Sequence, residues 1–288
     1  MSNVSLTEYH RQRFSPIFEQ IELACQKTNV DFYLVGAVAR DISMALHGLE
    51  ASRATRDLDL AVLVPTETDY QRLRETLLAQ GNFAEVRNMP FTLKYAEYTD
   101  VDLLPFGGME LGSGILLNRG EGVARLAVTG FAEVYEHGTQ LVTLDDQFTF
   151  RVCDLPGMVL LKLIAYDDRP EHRGKDLSDI SFILKHYLDI AESELYELHA
   201  DLLENTVSLE QTAARILGRH IRPLLEPSRP LRTRITGILD RAIADGPAGA
   251  IIRQLQAAQY RNDPLDTVLH LVQSLRQGLD DTPITETP

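Results

Sequence analysis

The chain has 288 residues, 44 % of them apolar and 24 % charged, and a formal net charge of −14. That composition builds a sizeable core and excludes disordered, collagen-like and coiled-coil chains, while the charge opposes nonspecific attraction to nucleic acid or to an anionic membrane. No apolar run approaches the ~18 residues of a membrane helix, the first residues lack the apolar stretch of a signal peptide, and two cysteines, Cys25 and Cys153, support neither a disulfide framework nor a thiolate zinc site. A cytoplasmic protein of about two domains is expected.

The first half alternates short β-branched or apolar runs with turns. Residues 6–28 read as an amphipathic helix, with Phe14, Ile17, Phe18, Ile21 and Cys25 at helical spacing and Pro16 as a break or as the true start. A strand follows over 31–35 and ends at Gly36, then a helix over 37–48, a strand over 58–64 and a helix over 67–80 stopped by Gly81. Strands are expected at 83–87, 91–97, 100–105, 124–129, 140–144 and 148–153, with Gly107-Gly108 and the segment 112–122 as turns or loop. Beyond residue 154 the 3.6-residue period takes over. It predicts helices at 155–167, 175–188, 190–205, 208–223, 231–243, 247–258 and 263–278, ahead of a loose polar tail over 280–288. The expected fold class is therefore α/β (α+β): a mixed-sheet domain over 1–153, then an all-helical domain over 154–288.

The chemistry concentrates in Tyr33-Leu-Val-Gly-Ala-Val-Ala-Arg-Asp41 and Arg53-Ala-Thr-Arg-Asp-Leu-Asp-Leu60. Strand periodicity turns Asp57 and Asp59 to one face, about 7 Å apart, and Leu58 and Leu60 to the other. Two such carboxylates repel unless a cation lies between them. Tyr98-Thr-Asp-Val-Asp-Leu-Leu-Pro105 repeats the pattern with Asp100 and Asp102, which face alike, so position along the strand decides which of them joins the first pair. Three carboxylates suit Mg²⁺, with Mn²⁺ as an alternative, shared with substrate phosphates. Gly36, at a strand-to-helix turn, lets a phosphate approach the backbone and the N-terminus of the next helix. Thr55 lies within reach of the same pocket.

These residues resemble the nucleotidyltransferase fold of the DNA polymerase β superfamily, whose turn carries a second Gly or Ser where this chain has Ala37. Leu34-Val-Gly-Ala-Val-Ala-Arg-Asp41 is similar to the start of tRNA CCA-adding enzymes and poly(A) polymerases, but their downstream Arg-Arg-Asp-Phe and Glu-Asp-x-x-Arg elements are missing. Leu160-Leu-Lys-Leu-Ile-Ala165 and Asp168-Arg-Pro-Glu-His-Arg-Gly-Lys-Asp-Leu-Ser-Asp-Ile180 resemble AbiEii-like toxins, the nucleotidyltransferase partners of bacterial toxin–antitoxin pairs. The resemblance spans roughly residues 30–185. It implies a metal-dependent enzyme that moves a nucleotide from a nucleoside triphosphate to an acceptor such as a tRNA 3′ end, with a cognate antitoxin as partner. It also implies roles: Asp57, Asp59 and Asp102 for metal and catalysis, with Asp102 as metal ligand or general base; Lys162 and Asp176 for catalysis; and Gly36, Ala37, Arg40, Thr55, Arg173, Lys175 and Asp179 for the triphosphate.

Plainer readings stand beside these. Lys162, set among leucines, pairs with an aspartate as a packing device, and Asp176 or Asp179 caps a helix. Seven arginines over 215–241 either grip a phosphate backbone or line a solvated helical face. A catalytically weak nucleotide-binding module, or a same-fold transferase that modifies a small molecule or a protein, is the alternative function.

Overall fold

A computed structural model describes residues 2–4, 8–49, 55–109, 114–119, 122–203 and 207–281. The chain divides into two compact units, Met1–Asp154 and Leu155–Pro288.

The first unit is built on a mixed eight-stranded sheet in the order β1-β9-β10-β2-β3-β6-β5-β4. In chain order these strands are β1 (Ser2–Val4), β2 (Asp31–Val35), β3 (Leu58–Val64), β4 (Phe83–Glu85), β5 (Thr92–Tyr95), β6 (Thr99–Gly107), β9 (Thr139–Leu144) and β10 (Phe148–Cys153). The expectation for residues 112–122 is corrected over 114–119 and at 122, while 112, 113, 120 and 121 lie outside the described residues: β7 (Gly114–Arg119) and β8 (Gly122–Ala127) pair as a separate antiparallel ribbon. The glycines there open the strands of a hairpin, and the apolar run Ile115-Leu116-Leu117 forms one of them. Three helices cover the unit at α1 (Glu8–Thr28), α2 (Gly36–Ala45) and α3 (Glu67–Leu78), and a short fourth, α4 (Phe131–His137), escapes the sequence reading.

Pro16 lies inside α1 and does not end it. An interior proline costs about 3 kcal/mol. Phe14, Ile17, Phe18 and Ile21 on the same helix are at most 1 % exposed. Each such burial contributes about 1.5–3 kcal/mol, so packing outweighs the lost hydrogen bond. The first residues of the expected helix, 6 and 7, lie outside the described residues.

The second unit is helical: α5 (Leu155–Asp168), α6 (Gly174–Glu197), α7 (Leu209–Leu225), α8 (Arg229–Ala244), α9 (Ala250–Gln259) and α10 (Leu265–Gly278), with a 3₁₀ turn at Ala200–Leu202. The break expected near residue 189 is absent: Tyr187, Ala191 and Leu195 continue the buried stripe of α6 at i, i+4, i+8. α7 and α10 meet backbone to backbone, where a Cβ on Gly218 would lie 2.2 Å from the Leu275 carbonyl oxygen. The tail expectation is corrected in part, since Asp280 and Asp281 are held by arginines; residues 282–288 lie outside the described residues.

Candidate active site

The carboxylates gather where β2 ends and β3 and β6 begin. Val35, the last residue of β2, pairs with Asp59, and β3 runs parallel to β6 with Asp59 opposite Asp102. β3 is a central strand in which Leu58, Leu60, Ala61, Val62 and Val64 are fully buried, yet Asp59 keeps contact with solvent.

The register distinguishes the two aspartates of β6. Asp102 lies beside Asp59 and accepts a hydrogen bond at 2.5 Å from the buried hydroxyl of Thr92, its partner on β5. Asp100, two residues back, is paired with Lys94, which sits opposite it on β5. Asp57 immediately precedes β3 and is exposed. Thr55 Oγ1 donates to the Asp57 carbonyl at 3.4 Å. Arg13 of α1 donates to the carbonyls of Arg56 (3.2 Å) and Tyr98 (2.9 Å), tying together the two segments that lead into β3 and β6. Nothing in the sequence marks Thr92 or Arg13, because both act through strand register and chain crossing.

Gly36 has φ +70, in the left-handed region. A Cβ there would lie 2.0 Å from Asp59 Oδ2. The glycine is thus required by the turn and by the carboxylate packed against it, a tighter reason than approach by a phosphate. Ala37 follows in the first turn of α2, whose N-terminus carries neither a capping side chain nor an acidic residue. Its amides and positive dipole end suit an anionic ligand. Arg40 is enclosed in the interior, with Nε at 2.9 Å and Nη2 at 2.6 Å from Asp41 Oδ1. A guanidinium so enclosed offers no open face to a triphosphate.

In the second unit, Lys162 Nζ lies 3.1 Å from Asp176 Oδ1 and 2.6 Å from Asp179 Oδ2, all three side chains being buried. Arg173 adds a longer contact of 3.7 Å to Asp176, and Lys175 is exposed. The arrangement joins α5 to α6. The arginine run is not a bare positive surface. Arg215 and Arg219 bind Asp281, Arg219 also binds Asp201, Arg222 pairs with Glu226, Arg232 with Asp280, and Arg234 and Arg241 with Asp167.

A family model described as "Nucleotidyl transferase AbiEii toxin, Type IV TA system" matches residues 21–257. The chain belongs to the AbiEii nucleotidyltransferase toxin family. It is a nucleotidyltransferase, and nucleotidyl transfer is its chemistry. No curated protein matches the sequence. Among solved structures, the solution structure of the antibiotic-resistance factor ANT(2″)-Ia is 11 % identical with a TM-score of 0.35, covering 80 % of this chain and 92 % of that one. A crystal structure of ANT(2″)-Ia with adenylyl-2″-tobramycin is 10 % identical with a TM-score of 0.36, covering 78 % and 97 %. Among the described residues of this AbiEii family member, no helix is long and apolar enough to cross a membrane.

Proposed function

We propose that this AbiEii family protein transfers a nucleotide from a nucleoside triphosphate to the 3′ end of an RNA, tRNA first among candidates. It would act in the cytoplasm as the toxin of a pair whose antitoxin restrains it. The observation that carries the reading is the pairing of Asp59 with Asp102 across β3 and β6, beside the glycine turn that opens α2. The donor set at this place is all carboxylate oxygen, which fits a hard divalent cation such as Mg²⁺ or Mn²⁺. Asp57, Asp59 and Asp102 would hold it, and when bound it would supply Lewis-acid stabilisation of charge on the phosphates.

The chain's own residues carry the remaining tasks. The open N-terminus of α2, from Gly36 and Ala37, receives phosphate oxygens. Thr92 fixes the Asp102 carboxylate by donating to Oδ1, which leaves Asp102 placed to accept the proton of the acceptor hydroxyl. The hydroxyl oxygen forms a bond to the α-phosphorus while the bond to the pyrophosphate oxygen breaks. Lys94 neutralises Asp100 and so keeps a further negative charge away from the triphosphate. We read Arg40 and the Lys162–Asp176–Asp179 cluster as supports of their own helices. The acceptor assignment rests on the family and draws nothing from the arginine run, which the unit's own acids neutralise.

The test is to incubate the protein with Mg²⁺, each labelled nucleoside triphosphate in turn, and total tRNA, beside an Asp57→Ala/Asp59→Ala variant of unchanged circular dichroism. Label on RNA with the wild type alone is expected. Label on a polypeptide moves the acceptor to protein. Equal transfer by the double variant overturns the assignment of the carboxylates.

A further inference from the structure

The helical unit holds a cluster that nucleotidyl transfer does not use. Glu194 lies near the end of α6, His199 just past it and His220 on α7. His220 Nε2 is 3.1 Å from Glu194 Oε2 and 3.4 Å from His199 Nε2, and the three atoms all lie within 4.8 Å of one another. His199 is buried; Glu194 and His220 are half-buried. Behind the cluster, the Tyr187 hydroxyl lies 2.7 Å from His220 Nδ1.

Two ring nitrogens and a carboxylate oxygen thus point at one another. A neutral imidazole carries one N–H. If His220 Nδ1–H donates to Tyr187, His220 Nε2 is a bare lone pair facing a carboxylate; if the Tyr187 hydroxyl donates to Nδ1, His220 Nε2–H meets Glu194 but confronts the Nε2–H of His199, whose Nδ1 accepts from Arg219. If instead His220 is fully protonated, its Nε2–H meets only one of its two neighbours. The distances match a different filling. Ligands at ~2.0–2.1 Å from a tetrahedral ion are about 3.3 Å apart, close to both short separations seen here. Two imidazoles and one carboxylate are the donors that zinc and its first-row neighbours prefer, and they suit Mg²⁺ or Ca²⁺ poorly.

We propose that Glu194, His199 and His220 bind a transition-metal ion, Zn²⁺ foremost, which fastens the C-terminal end of α6 to α7. Tyr187 is the positioning residue: by accepting from Nδ1–H it holds the His220 tautomer whose Nε2 faces the ion. Arg219 opposes the site from the other side, since its Nη1 lies 3.1 Å from His199 Nδ1 and can only donate. Binding through His199 Nε2 puts a proton on Nδ1 and gives up that contact, while Arg219 keeps Asp201 at 2.9 Å and Asp281 at 2.5 Å. An adjacent cation that must yield makes the ion exchangeable rather than permanent.

The test uses the full-length, tag-free chain stripped with a chelator. Co²⁺ is titrated in and the visible absorption of a tetrahedral site is recorded, followed by displacement with Zn²⁺. One equivalent is expected to bind in the wild type and equally in Asp57→Ala/Asp59→Ala, with an excess of Mg²⁺ displacing nothing. His220→Ala should abolish the band. Glu194→Gln, on a half-exposed side chain that the fold tolerates, and Tyr187→Phe should each weaken binding by about 10–100-fold. A band that survives His220→Ala in a folded variant, a band lost in the double aspartate variant, or no band at all overturns the proposal. So does a wild-type unfolding temperature that shifts with pH but not with Zn²⁺, which would mean that a proton alone fills the gap.

Discussion

Replacing Gly36 by alanine separates the two reasons for a glycine there. The left-handed φ of +70 costs an L-residue about 1–2 kcal/mol. In a unit of this size that lowers Tm by about 2–4 °C per kcal/mol. The added Cβ would also stand 2.0 Å from Asp59 Oδ2 and 2.7 Å from its Cγ, where ordinary contact begins at 3.4 Å. Because Asp59 sits on a central strand whose neighbours are buried, its backbone cannot retreat, and the carboxylate must swing by more than 1 Å. A displacement of that size at a reacting centre costs about 100-fold in rate. Gly36→Ala should therefore lose about two orders of magnitude in nucleotide transfer while unfolding only a few degrees early. Labelled-triphosphate transfer and a thermal melt on the same preparation read the two effects separately. A Gly36→Ala protein that transfers within about threefold of wild type would refute the placement of Asp59 in the site, since so small a loss is under 1 kcal/mol of transition-state stabilisation.

Thr92→Val removes one hydroxyl and little volume; it should lower kcat by about tenfold with KM for the triphosphate nearly unchanged, as expected for loss of one hydrogen bond to a charged group. Lys162→Met should destabilise the helical unit by about 3–5 kcal/mol, because it leaves Asp176 and Asp179 buried without their cation, and Lys162→Met/Asp176→Asn/Asp179→Asn should recover most of the loss in denaturant titrations. Asp201 is held below the usual carboxylate range by Arg219, and Asp281 is too, where burial pushes upward but the hydrogen bonds from Arg215 and Arg219 prevail. Depressed values contribute stability above the unfolded pKa of ~3.9 that is lost as pH falls through the folded values, so the difference between wild-type and Asp281→Asn melts should be constant from pH 7 to 5 and shrink below about 4. Asp281→Asn should cost about 1.5–3 kcal/mol at pH 7.

The elements that the sequence exposes are those whose side chains follow one clear period. β2, β3 and β10 match their expected bounds because their apolar runs end at Gly36, Pro65 and Asp154. The aspartates are legible for the same reason: Asp59 interrupts a run of Leu, Ala and Val that has no local reason to carry charge. What stays hidden depends on pairing. β1 owes its place to β9, and α4 is too short to show a period. Gly114 and Gly122 read as loop when each strand is taken alone, and only the pairing of 114–119 with 122–127 makes the two runs a ribbon.

The same distinction explains the choice between Asp100 and Asp102. In the sequence they are equivalent, both on one face of β6. The sheet breaks the tie twice. The β3–β6 register sets Asp102 beside Asp59, and β5 brings a cation to Asp100 and a hydroxyl to Asp102. A lysine beside a carboxylate competes for it with any second cation, whereas a threonine hydroxyl orients it and leaves its charge in place. β5 thereby gives the two aspartates different surroundings. The arginine run shows the reverse case. Its sign reversal is real in the sequence, but apart from Glu226 the acids that cancel it come from 201, 167, 280 and 281, too distant along the chain for a local window to pair them. Charge that looks like a nucleic-acid grip when counted locally becomes, once folded, the fastening of α7 and α8 to α5 and to Asp280 and Asp281.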